Sequence, residues 1–357
     1  MTHTLPLPDF THERVEVITG RRSGLFIAVA LHSSVLGSAL GGARLWTYPH
    51  WSDALGDALR LSAAMTLKNA TAGLDAGGGK AVIGLEPGTV LDAERRRAAF
   101  LDLGDAVESF DGLYRTAEDV GSTMDDMAVV GERTTHVVGL PDSSGGSGEP
   151  AGPTSLGVYE SLRAVLERTT GSADVAGRRI TISGLGQVGG RLAVRLSAEG
   201  ALLTVTDVNP ERRHLAGELG ATWSEPGTEH LVASDVFVPA GIGGLLTDEV
   251  IDALATSAVC GPANNPLASH SGADRLAARG IVYAPDFVVN AGGVIYLDNE
   301  AKQRGTRAEI MERVSQIGDT VRRILADSEE RGITPLAAAE ELAAERLRAG
   351  VATPVLS

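Results

Sequence analysis

The spacing of hydrophobic and polar positions changes along the chain, and the changes mark out its elements. Residues 25–31 (LFIAVAL) are an unbroken apolar run of strand length, as a buried strand would be. The pair Gly41-Gly42 reads as a glycine-rich turn. Beyond it, Leu55, Ala58, Leu59, Ser62 and Met65 recur close to helical spacing, and Ser52 stands where an N-cap belongs. A second glycine run, Gly77-Gly78-Gly79, leads into a short strand over residues 81–83. After residue 153, strand and helix patterns alternate. RITIS (residues 179–183) alternates apolar and polar. Val188, Leu192 and Leu196 define a helix over residues 188–199 that Gly200 can stop. Residues 201–206, 235–238, 258–260 and 281–284 are further strands. This alternation predicts an α/β protein with a parallel sheet covered on both faces. Near the end, Ile310, Val314, Ile317, Val321 and Ile324 step by 4, 3, 4 and 3, one face of a long helix. Thr334-Pro335 starts a last helix that is expected to end near Gly350.

Residues 142–153 (DSSGGSGEPAGP) disfavour both helix and strand, which places a domain boundary there. A length of 357 residues agrees with two domains. The 43% hydrophobic content is enough for a large core without staples. A formal charge of −15 repels phosphate backbones and anionic lipid heads, so neither nucleic acid nor a membrane surface is an expected partner. The single cysteine, Cys260, excludes an intrachain disulfide, and its apolar neighbours predict a buried, inert thiol. The opening MTHTLPLPDFTHERVEV lacks a basic segment followed by an apolar one. No apolar stretch approaches the ~20 residues that span a bilayer. A cytoplasmic location is therefore expected.

Gly184-Leu185-Gly186-Gln187-Val188-Gly189 follows a predicted strand and opens a predicted helix. The next strand ends at Asp207, 18 residues after Gly189. That context is the dinucleotide-binding turn. Gly184 permits the tight turn, Gly186 lets backbone approach the pyrophosphate, and Gly189 allows close packing of helix on strand. Free N–H groups at the helix start, including those of Gln187 and Val188, suit phosphates. Asp207 would bind the adenosine ribose hydroxyls and repel a 2′-phosphate, which favours NAD over NADP. Arg212 and Arg213 lie close enough in sequence to soften that exclusion.

Lysines are few in this chain, so Lys68 in MTLKNA and Lys80 in GGGKAVI stand out. They are 12 residues apart and not on one helix face. The glycines before Lys80 would let backbone approach a ligand. Spacing alone does not join these lysines to Asp119 in TAEDVGS.

Taken together, LGSALGGARLWTY, DALRLSAAMTLKNATAGLDAGGGKAVI, TAEDVGSTMDDM, GLGQVGG, GPANNPLA and GIVYAPDFVVNAGGVI resemble, in order, the leucine, valine and phenylalanine dehydrogenases of the Glu/Leu/Phe/Val dehydrogenase family. The resemblance implies two domains around a cleft. Residues 1–145 would be an α/β substrate-binding and oligomerisation domain, residues 146–330 a Rossmann-type NAD-binding domain, and residues 331–357 a helix packing back on the first. It implies a homo-oligomer. Activity would be NAD-dependent oxidative deamination of an L-amino acid to the 2-oxo acid and ammonia, and its reverse.

By the same resemblance Lys68 holds the substrate carboxylate, Lys80 is the catalytic lysine and Asp119 moves protons to and from the amino group. Gly41 and Gly42 line the carboxylate site, with Met65 nearby. Thr154, Ala240, Gly241, Ala263, Asn264 and Asn290 face the cofactor, and Asn264 also the substrate. A lysine can act as a base only when neutral. Burial and a neighbouring cation both favour that, and Lys68 is the expected cation. No metal site is expected.

The side-chain pocket maps to Leu40, Ala117, Val294 and Leu297. All four are apolar, which disfavours glutamate; the set resembles that of leucine- and valine-type enzymes, which implies branched-chain over aromatic substrates. The chain departs from the family pattern at Ala43, at Pro262 and Pro266, and in VPAGIGG. These departures touch cofactor contacts and substrate preference, not Lys68, Lys80 or Asp119. Two alternatives stay open: an NAD-linked oxidoreductase acting on another small acid, and a non-catalytic NAD-binding homologue.

Overall fold

The computed structural model describes residues 10–141, 143, 149–241, 243–302 and 305–352. The chain divides into two compact units. The first comprises Met1–Glu149, Leu297–Arg304 and Ala343–Ser357, and the second Pro150–Tyr296 and Gly305–Leu342. These boundaries differ from the expected breaks at residues 145 and 330. Two late helices run through a unit boundary, and no glycine, proline or composition shift marks either crossing. Of the expected linker, residues 142 and 144–148 lie outside the described residues.

In the first unit the order is β1 (Arg14–Thr19), β2 (Phe26–Ser33), β3 (Ala39–Thr47), α1 (Trp51–Thr71), β4 (Gly78–Leu85), α2 (Ala93–Glu108), β5 (Tyr114–Glu118) and α3 (Met124–Val130). The strands form one mixed sheet in the order β1-β2-β4-β3-β5. β2 is antiparallel to both β1 and β4, while β3 is parallel to β4 and β5. Alternation along the strands divides their side chains between two cores. Ile27, Val29, Leu31, Ala39, Ala43, Leu45, Ala81 and Ile83 pack with Phe100, Leu103 and Val107 of α2 and Met127 of α3. Ala28, Ala30 and Val82 pack on the other face with Ala54, Ala58 and Leu59 of α1.

Two expectations are corrected here. Gly41-Gly42 is not a turn; both residues lie inside β3. α1 is capped by His50 rather than Ser52, with the His50 side chain accepting from Ser52 N and Asp53 Oδ2 accepting from His50 N at 3.1 Å. The glycine run also serves packing. A Cβ on Gly78 would stand 2.2 Å from Thr66 N of α1, and one on Gly79 would stand 2.5 Å from the Tyr114 ring. Both glycines let neighbouring protein atoms come close.

The second unit runs α4 (Ala151–Thr170), β6 (Arg179–Ser183), α5 (Gln187–Ala198), β7 (Leu202–Thr206), α6 (Arg213–Glu218), β8 (Thr222–Trp223), β9 (Ser234–Pro239), α7 (Asp248–Ala253), β10 (Thr256–Val259), α8 (Gly272–Ala278), β11 (Val282–Tyr283), α9 (Asp286–Val289), α10 (Gly292–Lys302), α11 (Arg307–Ser315), α12 (Ile317–Arg331) and α13 (Pro335–Ala352). α10 passes into the first unit at Leu297 and α13 at Ala343. α4 begins inside the segment expected to be linker. The six strands are all parallel, in the order β11-β10-β9-β6-β7-β8. The chain thus builds outward from β6 through β7 to β8, returns to β9 beside β6, and builds outward the other way. That is the doubly wound order, whose ligand crevice opens at the carboxyl ends of the two central strands. The expected single long helix is two, α11 and α12, meeting at Gln316. Cys260 is fully buried, and burial pushes its thiol well above the usual range. Among the described residues no helix is long and apolar enough to cross a membrane.

Gly78→Ala is expected to force α1 off β4 and to cost about 2 kcal/mol of stability. Urea unfolding of the variant beside the parent checks this, with a loss below about 0.5 kcal/mol contradicting it.

Candidate active site

β4, β3 and β5 lie side by side. Ala81 of β4 and Ala43 of β3 point to the α2 core, so Lys80, Gly42 and Arg44 lie on the α1 face. Asp119 follows β5 directly. Lys80 and Asp119 therefore come from the two strands flanking β3, each ~4.8 Å from it. A side chain on β3 between them would keep them apart. Gly42 has none: a Cβ there would fall 2.8 Å from Asp119 Cβ and 2.6 Å from Glu118 O. Across this gap Lys80 Nζ stands 3.0 Å from Asp119 Oδ2, with the side chains only 5% and 15% exposed. The backbone after β5 is pinned as well. Asp119 N donates to Ser122 Oγ at 2.9 Å, and that hydroxyl donates to Ala43 O at 2.7 Å.

The pair continues into a line of alternating charges. Arg44 Nε donates to the same Asp119 oxygen at 3.0 Å, and Arg44 Nη1 donates to Asp57 Oδ2 of α1 at 2.9 Å. Tyr48 OH donates to that Asp57 oxygen at 2.7 Å, and Arg60 binds the other. Burial opposes the ionisation of Asp119, but the Lys80 ammonium and Arg44 guanidinium outweigh it and hold the carboxyl down to about 2. Burial pushes Lys80 below the usual lysine range. Asp119 pulls it part of the way back, and the Arg44 charge pushes it down again. A proton can pass between the two groups over one hydrogen-bond length. This is an acid–base pair with a water-poor setting.

Arg44, Asp57 and Tyr48 carry no sequence motif, and Arg44 is a cation that pushes Lys80 down here. Two sequence signals point to Arg44 and Asp57. Arg44 is two residues from Gly42 on a strand. Asp57 and Lys68 are about three helical turns apart and so share a face of α1. Lys68 is half-buried there. Gly41 sits so close to β4 that its Cβ would be 1.8 Å from Gly79 O and 3.3 Å from Met65 Cγ. Leu40 and Ala117 are 3% and 2% exposed. Leu40 also borders a cavity of about 90 Å³ whose walls include Arg115, Asp298 and Lys302. The apolar set therefore has charged neighbours that the four mapped positions do not reveal. Leu297 belongs to this unit and Val294 to the other.

In the second unit several of the expected cofactor residues lie on loops after the parallel strands, and others at helix ends. Gly184 leaves β6 with φ 111°, a conformation that side-chain-bearing residues rarely adopt. A Cβ on Gly189 would fall 2.1 Å from Gly184 O, so only glycine lets α5 sit this close. Gly186 caps α5 with no side-chain bond, leaving the first N–H groups, including those of Gln187 and Val188, facing outward from the helix start. Asp207 follows β7; Oδ2 accepts from Leu185 N at 2.6 Å and Oδ1 from Asn209 N at 2.8 Å, which fixes the carboxylate to the glycine turn. Ala240 and Gly241 follow β9, and Ala240 lies against Gly184. Ala263 and Asn264 follow β10, and Asn290 Nδ2 donates to Asn264 Oδ1 at 2.9 Å. Asn290 Oδ1 is buried without a hydrogen-bond partner among the described residues. Thr154, in the first turn of α4, donates to Pro150 O at 2.9 Å. A glycine turn, a bare helix start, a carboxylate after the second strand and an orphan acceptor fit a nicotinamide dinucleotide.

Comparison with known proteins agrees with both halves. The model described as Glu/Leu/Phe/Val dehydrogenase, dimerisation domain, matches residues 12–136, and the model described as Glutamate/Leucine/Phenylalanine/Valine dehydrogenase matches residues 213–352. Leucine dehydrogenase of Bacillus cereus is 40% identical over 342 residues, covering 96% of this chain and 92% of that protein. Valine dehydrogenase of Streptomyces albus is 40% identical over 342 residues, covering 94% and 92%. The solved structure of L-tryptophan dehydrogenase from Nostoc punctiforme superimposes with a TM-score of 0.80 at 34% identity, covering 96% of this chain and 97% of that one.

The depressed Asp119 has a consequence for acid stability. Its carboxyl titrates near 2 in the fold and near 4 in the unfolded chain, so the unfolded chain takes the proton first as pH falls. The stability it contributes is present above about pH 4 and is lost as pH falls through about 2. Asp119→Asn is expected to remove about 2 kcal/mol of that pH-dependent stability, read from urea unfolding at a series of acid pH values. An unchanged pH dependence would contradict it.

Proposed function

Because the chain belongs to the Glu/Leu/Phe/Val dehydrogenase family and is an amino-acid dehydrogenase, we propose that it deaminates an apolar L-amino acid oxidatively with NAD, and runs the reverse reductive amination, using Lys80 and Asp119 as its proton-handling pair. The observation that carries this reading is the buried Lys80–Asp119 contact at 3.0 Å. Branched-chain substrates are favoured over aromatic ones. The buried Leu40 and Ala117 support that preference, as do the leucine and valine dehydrogenases at 40% identity. Asp207 supports NAD over NADP, since its fixed carboxylate would face a 2′-phosphate with like charge.

Bound nicotinamide supplies the acceptor for the hydride that leaves the substrate α-carbon. The chain's own groups do the rest. The Lys68 ammonium holds the α-carboxylate. Neutral Lys80 takes a proton from the water that attacks the iminium carbon, giving a carbinolamine. Asp119 accepts a proton from that centre and delivers one to the amino nitrogen, which leaves as ammonia while the carbon becomes a carbonyl. The balance is amino acid, water and oxidised cofactor giving 2-oxo acid, ammonium, reduced cofactor and one proton. The family description of residues 12–136 as a dimerisation domain supports a homo-oligomer.

The test is a panel of L-amino acids with NAD or NADP, followed by NADH or NADPH absorbance, and the reverse assay with and without ammonium. Strict ammonium dependence and a preference for leucine or valine with NAD are expected. Reduction of the 2-oxo acid without ammonium would favour the alternative of an NAD-linked oxidoreductase acting on another small acid. Lys80→Ala is expected to lower kcat by about 1000-fold while NAD still binds, and an unchanged kcat would remove Lys80 from the mechanism.

A further inference from the structure

The Lys80–Asp119 contact is the inner end of a four-member line, Lys80, Asp119, Arg44 and Asp57, held by distances of 3.0, 3.0 and 2.9 Å. Arg44 does not grip Asp119 with both arms of its fork. It spends Nε on Asp119 and Nη1 on Asp57, although a paired grip on one carboxylate is the stronger geometry. Asp119 Oδ2 thus serves two donors, and Asp57 draws Arg44 the other way. We propose that Arg44 and Asp57 are opposed positioning residues. Acting through Asp119, Arg44 favours a neutral Lys80, and Asp57 restrains Arg44.

The physical basis is competition for one oxygen in a site where charge is poorly screened. The more firmly Arg44 holds Asp119 Oδ2, the less that oxygen stabilises a Lys80 ammonium. Arg44 stays charged at every working pH, so its influence is fixed by position alone. Asp57 is held ionised. Burial opposes this, but the Tyr48 hydroxyl and the Arg44 and Arg60 charges outweigh it. Other side chains belong to the elements packed around Lys80. Lys68 shares the α1 face with Asp57. Glu118 lies beside Asp119, its carboxyl raised by burial and by the Glu149 and Asp119 charges. Tyr114 is kept neutral by burial. Across β2, Lys80 is opposed by Ala30. Beyond Asp119 the line runs through Arg44 to Asp57, which Arg60 and Tyr48 also hold.

The inference rests on the reading of Lys80 as the base in oxidative deamination. Activity then rises with pH as Lys80 loses its proton, giving an acid limb to the kcat profile. Asp57→Asn removes an anion and releases Arg44 towards Asp119, so the limb is expected to move down by about 1 pH unit. Arg44→Gln removes the cation, and the limb is expected to move up by about the same amount. Arg44→Lys keeps the charge and is expected to restore the limb towards its parental position even where kcat stays low. A merely structural tie would lower kcat in all three variants with the limb in place, and that result overturns the proposal, as would limbs moving the same way. Should Arg44→Gln fail to fold, Asp57→Asn decides alone: a downward shift supports the proposal, and no shift or an upward one overturns it. Failure of the underlying reading looks different, since Lys80→Ala would then keep its turnover.

Discussion

A lysine and an aspartate on strands separated by a third can meet only if that third strand presents nothing between them. Gly42 meets this condition, and the chemistry on the first unit follows from it. The gap lets Asp119 lean over β3, and the sheet register holds Lys80 opposite. A charged group taken from water needs a partner or it discharges. Here both happen in part: Asp119 gains two cations and stays ionised, while Lys80 gains one carboxylate against burial and a second cation, and is left easier to deprotonate. Gly78 contributes by letting α1 lie tight on β4, the strand that carries Lys80.

The second unit solves a separate problem with separate means. Its parallel strands bring Gly184, Asp207, Ala240 and Asn264 to loops at their carboxyl ends, where the doubly wound order leaves room for a dinucleotide. Backbone does most of the work. The turn at Gly184 exists because φ is positive there, and α5 sits close because Gly189 lacks a Cβ. Asp207 is not a loose surface carboxylate. Two backbone N–H groups fix it, so its charge stands at one place relative to the glycine turn.

What could be read from the sequence was what is local. RITIS matches β6 residue for residue, because alternation, a following glycine turn and a helical period all fall within about twenty residues. The same holds for Gly200 ending α5 and Pro335 beginning α13. Gly41-Gly42 was misread because glycine signals a turn along the chain, whereas its reason here is β4 and the Asp119 side chain, close in space only. Helices α11 and α12 looked like one because Gln316 between them keeps helical-type angles, with φ −66° and ψ −8°, so the apolar stepping is not interrupted. Lys80 and Asp119 were joined by resemblance rather than by spacing. Arg44 and Asp57 carry no motif of their own; only the strand register and helix face bring them to that pair.

The central claim is that Lys80 is a buried lysine poised to lose its proton, and it is open to direct measurement. The sequence holds three lysines, Lys68, Lys80 and Lys302, so a protein labelled with carbon-13 at the lysine side chains gives few signals, assignable by substitution. An NMR titration should show the Lys80 signal changing well below the ordinary value of 10.5 and moving upward when Arg44 is replaced by Gln. A Lys80 signal that titrates at the ordinary lysine value would contradict it.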